Sequence, residues 1–121
     1  MSKPKLNSSY ICVKNMKRAI DFYEKFLERK VSVRDELFSI FEVDRFFFYL
    51  FNNKKAKEKV TYGDNCLLSF EVENIKQVQE KLKKLGVKIV YPLTKIGKNL
   101  VLEFKDPEGN DVEVYSIINS S

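Results

Sequence analysis

The chain repeats one pattern of apolar and helix-capping residues after about half its length, and this repeat limits the folds open to it. A shift of 59 residues lays Ile11–Met16 over Phe70–Ile75, which read ICVKNM and FEVENI. In both stretches apolar residues alternate, as in a β-strand with one buried face. Each stretch then reaches an asparagine, a residue that caps helix N-termini well. The pattern therefore predicts one strand–helix unit built twice.

Each copy continues as a helix and then as strands. Apolar residues at helical spacing predict helices over Met16–Leu27 and Ile75–Leu85. We expect a loop over Pro92–Asn99, before the last two strands. The other apolar stretches predict strands, which we place at Ser8–Val13, Val31–Arg34, Leu37–Val43 and Arg45–Phe51 in the first copy, and at Leu68–Val72 and Val87–Tyr91 in the second.

The stretch Leu100–Tyr115 reads as a β-hairpin. Its two halves alternate apolar and polar residues, and Asp106–Asn110, with the sequence DPEGN, joins them. Proline presets the backbone for a turn, and glycine or asparagine can adopt the left-handed conformation that lets the chain return. Glu113 lies between Val112 and Val114, so we expect its side chain on the opposite face from theirs.

The composition indicates a single globular domain over residues 1–121, with repeated modules at about 5–51 and 66–116. The chain is 44% hydrophobic and 32% charged, which is typical of a folded domain and not of a disordered or membrane-spanning chain. No apolar stretch approaches the ~20 residues of a membrane span. The first residues, MSKPKLNSSY, lack the apolar core of a signal peptide, so we expect a cytoplasmic protein.

Charge and reactive residues narrow the classes of function. The net charge of +5 comes from lysine-rich stretches that acidic residues interrupt, so we expect a solvated surface and no nucleic-acid partner. The chain has no histidine, which excludes Ser–His and Cys–His nucleophile pairs. Cys12 and Cys66 lie in or next to predicted strands, where we interpret them as buried thiols.

Three segments of this pattern resemble the vicinal oxygen chelate superfamily, also called the glyoxalase/bleomycin-resistance family. They are Val13–Leu27, with VKNM and FYEKFL, Phe70–Ile75, with FEVENI, and Lys105–Val114, with KDPEGN and VEV. The resemblance covers nearly the whole chain. It implies an α+β fold in which two tandem βαβββ modules form a curved mixed sheet with a cup, and in which the helices lie on the outer face. It also implies a homodimer.

The resemblance further implies where a metal ion would bind. Metal enzymes of this family take one ligand from each of four cup-facing strands, at positions that match Ser8, Phe48, Leu67 and Glu113. Phenylalanine and leucine offer no lone pair, and neutral serine is a poor ligand, whereas a catalytic divalent ion needs about three protein ligands. We therefore predict no metal and no cofactor, and we discount the metal-dependent reactions of the family.

Strand alternation predicts which residues line the cup, because residues that alternate with the helix-facing ones must face the other way. The predicted pocket is aromatic and apolar with a few hydroxyls and carboxylates, as in many small-molecule sites. Glu113 could equally be paired with a lysine or exposed at the rim, and we assign no catalytic residue. The predicted ligand-binding residues are Ser8, Tyr10, Phe48, Leu67, Ser69, Glu113 and Tyr115.

We predict a protein that binds a small apolar or aromatic molecule in the cup of a homodimer without catalysing a reaction. Two alternatives remain open. The chain could be a lyase or isomerase of the same superfamily that uses Glu113 as acid or base. It could also be a structural or regulatory module whose own phenylalanines fill the cup.

Overall fold

The computed structural model of the chain describes residues 7–55, 57 and 68–118. The chain divides into two compact units, Met1–Thr61, the first unit, and Tyr62–Ser121, the second unit. The described part of each unit holds one helix and its own β-sheet, so the protein is α+β and the predicted fold class is confirmed. Among the described residues, no helix is long and apolar enough to cross a membrane.

The first unit contains a three-stranded sheet in the order β1-β3-β2. Its elements are β1 (Ser8–Cys12), α1 (Met16–Leu27), β2 (Phe38–Val43) and β3 (Phe46–Phe51). β1 runs parallel to β3, and β2 runs antiparallel to it. The long connection from β1 through α1 is the one that a parallel pair requires.

The prediction of a strand at Val31–Arg34 is wrong. Only Val33 pairs there, in an isolated bridge with Ile40. The backbone N–H groups of Ser32 and Val33 both donate to the Ile40 carbonyl, at 2.8 and 3.1 Å, so two residues oppose one and a regular ladder cannot continue. The Glu42 N–H then donates to the Ser32 hydroxyl at 3.0 Å, which replaces the next ladder bond.

Helix α1 forms where the sequence predicted it and lies against β3. The Asn15 side chain caps its N-terminus by accepting a hydrogen bond from the Arg18 N–H at 3.0 Å. The helix ends at Glu28, which adopts the left-handed conformation that often closes a helix. An apolar stripe is buried along the helix and comprises Met16, Ala19, Ile20, Phe22, Tyr23 and Phe26.

The second unit contains a four-stranded sheet in the order β4-β7-β6-β5. Its elements are β4 (Leu68–Glu71), α2 (Ile75–Lys84), β5 (Lys88–Ile96), β6 (Asn99–Lys105) and β7 (Asp111–Ile117). The prediction of a loop at Pro92–Asn99 is wrong, because β5 continues through Pro92 to Ile96. An edge strand tolerates proline, and the register shifts between Tyr91 and Thr94 absorb the missing hydrogen bond.

The turn between β6 and β7 is held by Asp106, which is buried. One oxygen of its carboxylate, Oδ1, accepts hydrogen bonds from the Glu108 N–H at 2.9 Å and the Asn110 N–H at 2.8 Å. Gly109 adopts a φ of 92°, a conformation that glycine takes without steric cost. The predicted hairpin is therefore present, and it places Glu113 in the middle of β7.

The repeated modules agree in the order of their elements apart from the missing strand at Val31–Arg34. The curvature and the cup stay predictions, as do the module bounds and the assignment of residues 1–121 to a single domain.

Candidate functional site

Aromatic side chains cover one face of the sheet in the first unit, the face opposite α1. Pairing across the strands places Tyr10 beside Tyr49 and Cys12 beside Phe51. The ring centroids of Phe38 and Phe51 lie 4.6 Å apart in a stacked arrangement, and Tyr10 meets Phe51 edge to face at 5.6 Å. We call this surface the aromatic face and define it as Ser8, Tyr10, Cys12, Phe38, Ile40, Glu42, Phe47, Tyr49 and Phe51.

Two aromatic rings of this face remain accessible. Tyr10 is 58% exposed and Phe38 is 38% exposed. Tyr49 lies between them and contacts Phe38, with 5.8 Å between the ring centroids. Cys12 is half-buried, so its thiol is less enclosed than predicted. Ser8 and Tyr10 lie on the face where the sequence placed them, and their contact with a ligand stays a prediction.

The assignment of Phe48 to this face is wrong. Phe48 pairs with Ser9 on β1 and Phe41 on β2, and it is only 2% exposed. Its ring lies edge to face against that of Tyr23 on α1, with centroids 5.0 Å apart. Phe48 therefore belongs to the core beneath the helix. The face of β3 that lies opposite α1 carries Phe47, Tyr49 and Phe51.

Hydroxyls and carboxylates cluster on one face of the sheet in the second unit. Pairing places Ser69 beside Glu113 and Glu71 beside Tyr115, while Glu103 on β6 lies directly opposite Glu113. The other face of β7 carries Val112 and Val114, which are fully buried. We call the polar surface the carboxylate face and define it as Ser69, Glu71, Glu103, Glu113 and Tyr115.

Glu113 is half-buried and is oriented by Ser69. The Ser69 hydroxyl donates a hydrogen bond to Oε1 of Glu113, with 2.6 Å between the oxygens. A bond of this length to a charged oxygen is a strong one. Among the described contacts, the Glu113 carboxylate accepts from a hydroxyl and forms no ion pair with a lysine, whereas its place at a rim stays untested.

Tyr115 and Glu71 form a second pair of the same kind. The Tyr115 hydroxyl donates to Oε1 of Glu71 at 3.2 Å. This hydrogen bond raises the pKa of the Tyr115 phenol above its ordinary value of 10.0, and burial and the negative charges of Glu71 and Glu113 act in the same direction. The phenol serves as a hydrogen-bond donor to Glu71.

The structure brings together three of the predicted ligand-binding residues, Ser69, Glu113 and Tyr115, on the carboxylate face. Glu103 also lies there, although we did not predict it as a site residue. The alternation of Leu102 and Phe104 with Glu103 could have identified it. Leu67 and Cys66 lie outside the described residues. The ligand-binding role of the predicted residues other than Phe48, which packs beneath α1, stays a prediction.

The donor set does not fit the metal site that the family resemblance implies. Of the implied positions, Phe48 packs beneath α1, and the Glu113 carboxylate already accepts a hydrogen bond from Ser69. In the part of the chain that the structure describes, no group of three or more His, Cys, Asp or Glu residues could hold a metal ion. A transition-metal ion would therefore have at most one competent ligand among the implied positions.

Two surface depressions lie beside the helices and away from the predicted site residues. They measure about 390 Å³ and about 580 Å³. Both are lined by charged and polar side chains of both signs, so we assign them no ligand. The first is lined by Asp21, Glu24, Lys25, Glu28, Arg29 and Lys30, and the second by Asn74, Lys76, Gln77, Glu80, Lys81 and Lys84.

Comparison with known proteins supports this fold. The family described as "Glyoxalase/Bleomycin resistance protein/Dioxygenase superfamily" matches residues 5–114. No curated protein matches the sequence.

Solved structures resemble the chain along its length at low sequence identity. A glyoxalase/bleomycin resistance protein/dioxygenase family enzyme from Burkholderia phytofirmans PsJN has a TM-score of 0.82 at 15% identity, covering 95% of this chain and 100% of that one. A lactoylglutathione lyase from Agrobacterium tumefaciens has a TM-score of 0.78 at 14% identity, covering 96% of each chain. A glyoxalase/bleomycin resistance protein/dioxygenase from Nocardioides has a TM-score of 0.78 at 16% identity, covering 100% and 88%. These similarities show the fold alone.

Proposed function

Because the chain belongs to the Glyoxalase/Bleomycin resistance protein/Dioxygenase superfamily, we propose that it binds a small molecule with an apolar or aromatic part and does not catalyse a reaction. The observation that carries this proposal is the aromatic face. A sheet face that keeps Tyr10 58% exposed and Phe38 38% exposed leaves apolar surface in water, which is a cost that binding a ligand would relieve.

The arrangement of the rings favours a flat, partly aromatic ligand. Phe38 and Phe51 are stacked, and the rings of Tyr10 and Phe51 meet edge to face, so the described rings already adopt the geometries that aromatic pairs prefer. A further ring placed against Tyr10 or Phe38 could use the same stacked or edge-to-face contact. Each such pair is worth about 0.5–1.5 kcal/mol beyond the buried area.

The carboxylate face of the second unit is a separate candidate surface for polar ligand contacts. Ser69 and Tyr115 each donate to a carboxylate, which leaves the remaining carboxylate lone pairs to accept from a ligand's N–H or O–H groups. This acidic surface differs in sign from the chain as a whole, whose net charge is +5. Ser69, Glu113 and Tyr115 therefore remain our polar ligand-binding candidates, and the homodimer that the family resemblance implies remains part of the proposal.

A thermal-shift screen of a small-molecule library tests the proposal, because a ligand that binds only the folded chain raises its melting temperature. We expect aromatic compounds to raise the melting temperature of the wild type and of Tyr10→Phe, which keeps the ring. The shift should shrink in Tyr10→Ser, which removes the ring at a site that is largely exposed and so leaves the fold intact. An equal shift in all three proteins would place the ligand elsewhere, and a screen without binders would count against the function.

The second candidate is a lyase or isomerase that uses Glu113. It is favoured by one observation, namely that Glu113 is half-buried with a second carboxylate, Glu103, directly opposite and the protonated Tyr115 phenol on the same face. An acid and a base in proximity are what proton transfer requires. Incubating each compound that binds with the protein and following it by proton NMR separates the candidates, since turnover lost in Glu113→Gln would favour the enzyme.

A further inference from the structure

The Glu113 carboxylate occupies the one position of the implied metal site with a competent ligand, yet its surroundings suit a different role. We propose that Glu113 is a hydrogen-bond acceptor positioned by Ser69 and is not a metal ligand, so that the chain functions without a divalent transition metal. This inference concerns the chemistry of Glu113 and holds whichever organic molecule the protein binds.

The register of the sheet explains how Ser69 acts on Glu113. The two residues are paired across the parallel strands β4 and β7, so their side chains leave the same face next to each other. The hydroxyl proton of Ser69 points at Oε1 of Glu113 across 2.6 Å. This hydrogen bond fixes the orientation of the carboxylate, and the side chain that it places nearest to Glu113 is a neutral hydroxyl, which is a poor metal ligand.

The neighbouring carboxylates on this sheet are engaged in other contacts. Glu71 accepts from the Tyr115 hydroxyl at 3.2 Å, and Asp111 forms an ion pair with Lys105 at 2.7 Å. A metal ion bound through Glu113 would need about two more protein ligands. Recruiting them from this sheet would break contacts that the described side chains already make.

A metal-binding experiment tests whether Glu113 is a metal ligand. We would dialyse purified wild type and Glu113→Gln against Zn²⁺, Ni²⁺ or Mn²⁺ separately, remove the free ion, and determine the metal content by elemental analysis. We expect equal and substoichiometric metal in both proteins. About one metal ion per chain in the wild type and none in Glu113→Gln would overturn the inference.

An NMR experiment tests whether Ser69 positions the Glu113 carboxylate. In protein labelled with ¹³C at the glutamate side-chain carboxyl, the Glu113 resonance is the one missing from Glu113→Gln. We expect Ser69→Ala to move this resonance and Ser69→Thr, which restores a hydroxyl, to return it towards the wild-type position. Ser32→Ala, a serine that belongs to neither face and bonds the Glu42 N–H, serves as the control and should leave it in place.

An unchanged resonance in Ser69→Ala would contradict the positioning role of Ser69. Neither result depends on the proposed function. The Tyr10-dependent thermal shift could persist in a protein that binds metal, and it could be absent from a protein that excludes metal.

Discussion

At the scale of single residues, the second unit supports two carboxylates of one sheet face with hydroxyl groups, whereas Asp111 is paired with Lys105. Ser69 donates to Glu113 and Tyr115 donates to Glu71, so a neutral hydroxyl supports each charge. Such bonds stabilise the ionised carboxylate and hold its orientation at little cost in side-chain entropy, because serine and tyrosine have few rotatable bonds. The two hydroxyls therefore hold these carboxylates in a defined geometry, which suits the surface for binding.

The pairing of Tyr115 with Glu71 predicts a measurable titration. Replacing Glu71 with glutamine removes the charge that raises the pKa of Tyr115, so we expect this pKa to fall towards 10.0. The Tyr115 titration is the difference in tyrosinate absorbance between each protein and its Tyr115→Phe derivative. Glu73→Gln, an exposed residue just after β4, is the control and should change nothing.

The same pairing fixes the sign of a pH effect on stability. The folded pKa of Tyr115 lies above its unfolded value, so the folded state holds the phenolic proton more tightly. The stabilisation is fully present below pH 10 or so and is lost as the pH rises through the folded pKa. The difference in stability between the wild type and Tyr115→Phe, measured by urea denaturation, should therefore shrink as the pH rises above 10 or so, and a difference that grew there would contradict the assignment.

Replacing Asp106 should change the free energy of unfolding more than losing the Tyr115–Glu71 pair does. Its buried carboxylate accepts two backbone N–H groups in the turn between β6 and β7. Asp106→Ala leaves both donors without this acceptor, and we expect it to lower the free energy of unfolding by about 2–4 kcal/mol. Asp106→Asn keeps the Oδ1 acceptor and should lose less. Urea denaturation measures both, and an alanine variant as stable as the wild type would contradict this role of the turn.

At the scale of the elements, the two helices contribute unequally to their units. Helix α1 buries six residues against its sheet, including Tyr23 and Phe26, whereas α2 buries only Ile75 and Leu82. Both begin at an asparagine that accepts a backbone N–H, from Arg18 in α1 and Gln77 in α2. Because its apolar stripe is smaller, α2 relies relatively more on its N-terminal cap and on the lysines of its last turn. Their positive charges stabilise the helix by interacting with the negative end of its dipole.

Neighbouring residues of strand β3 should differ in how much they stabilise the fold. Phe48 is 2% exposed and contacts Tyr23, whereas Phe47 is half-buried on the opposite face. We expect Phe48→Ala to lower the free energy of unfolding by about 3–5 kcal/mol and Phe47→Ala by roughly 1–2 kcal/mol. Urea denaturation compares the two. A larger loss in Phe47→Ala would mean that β3 presents the other set of side chains to the helix.

At the scale of the whole molecule, the sequence predicted the α+β class and most elements because the repeat carries strong periodic signals. Strand faces were predicted correctly for β1, β4 and β7, where polar and apolar residues alternate. They could not be predicted for β3, since RFFFYLF is apolar on both faces and a shift of one residue exchanges them. The bulged pairing at Val33 and the passage of β5 through Pro92 depend on tertiary hydrogen bonds that no local pattern records.

The candidate site was predicted to a similar extent. Ser69, Glu113 and Tyr115 share a face because their strands alternate clearly, whereas their hydroxyl–carboxylate pairing depends on the register between β4 and β7. That register joins residues 44 positions apart in the sequence. The alternation of side chains along one strand cannot specify which residue of another strand lies beside it.

The most direct test of the central claim, that a small molecule binds on a sheet face opposite the helix of its unit, is an NMR titration. The assigned amide spectrum of the uniformly ¹⁵N-labelled chain would be followed as the compound with the largest thermal shift is added. We predict that the largest changes fall on residues of the aromatic face, such as Tyr10, or on residues of the carboxylate face, such as Ser69 and Glu113. Changes confined to the solvent-facing residues of α1 and α2 would contradict the account.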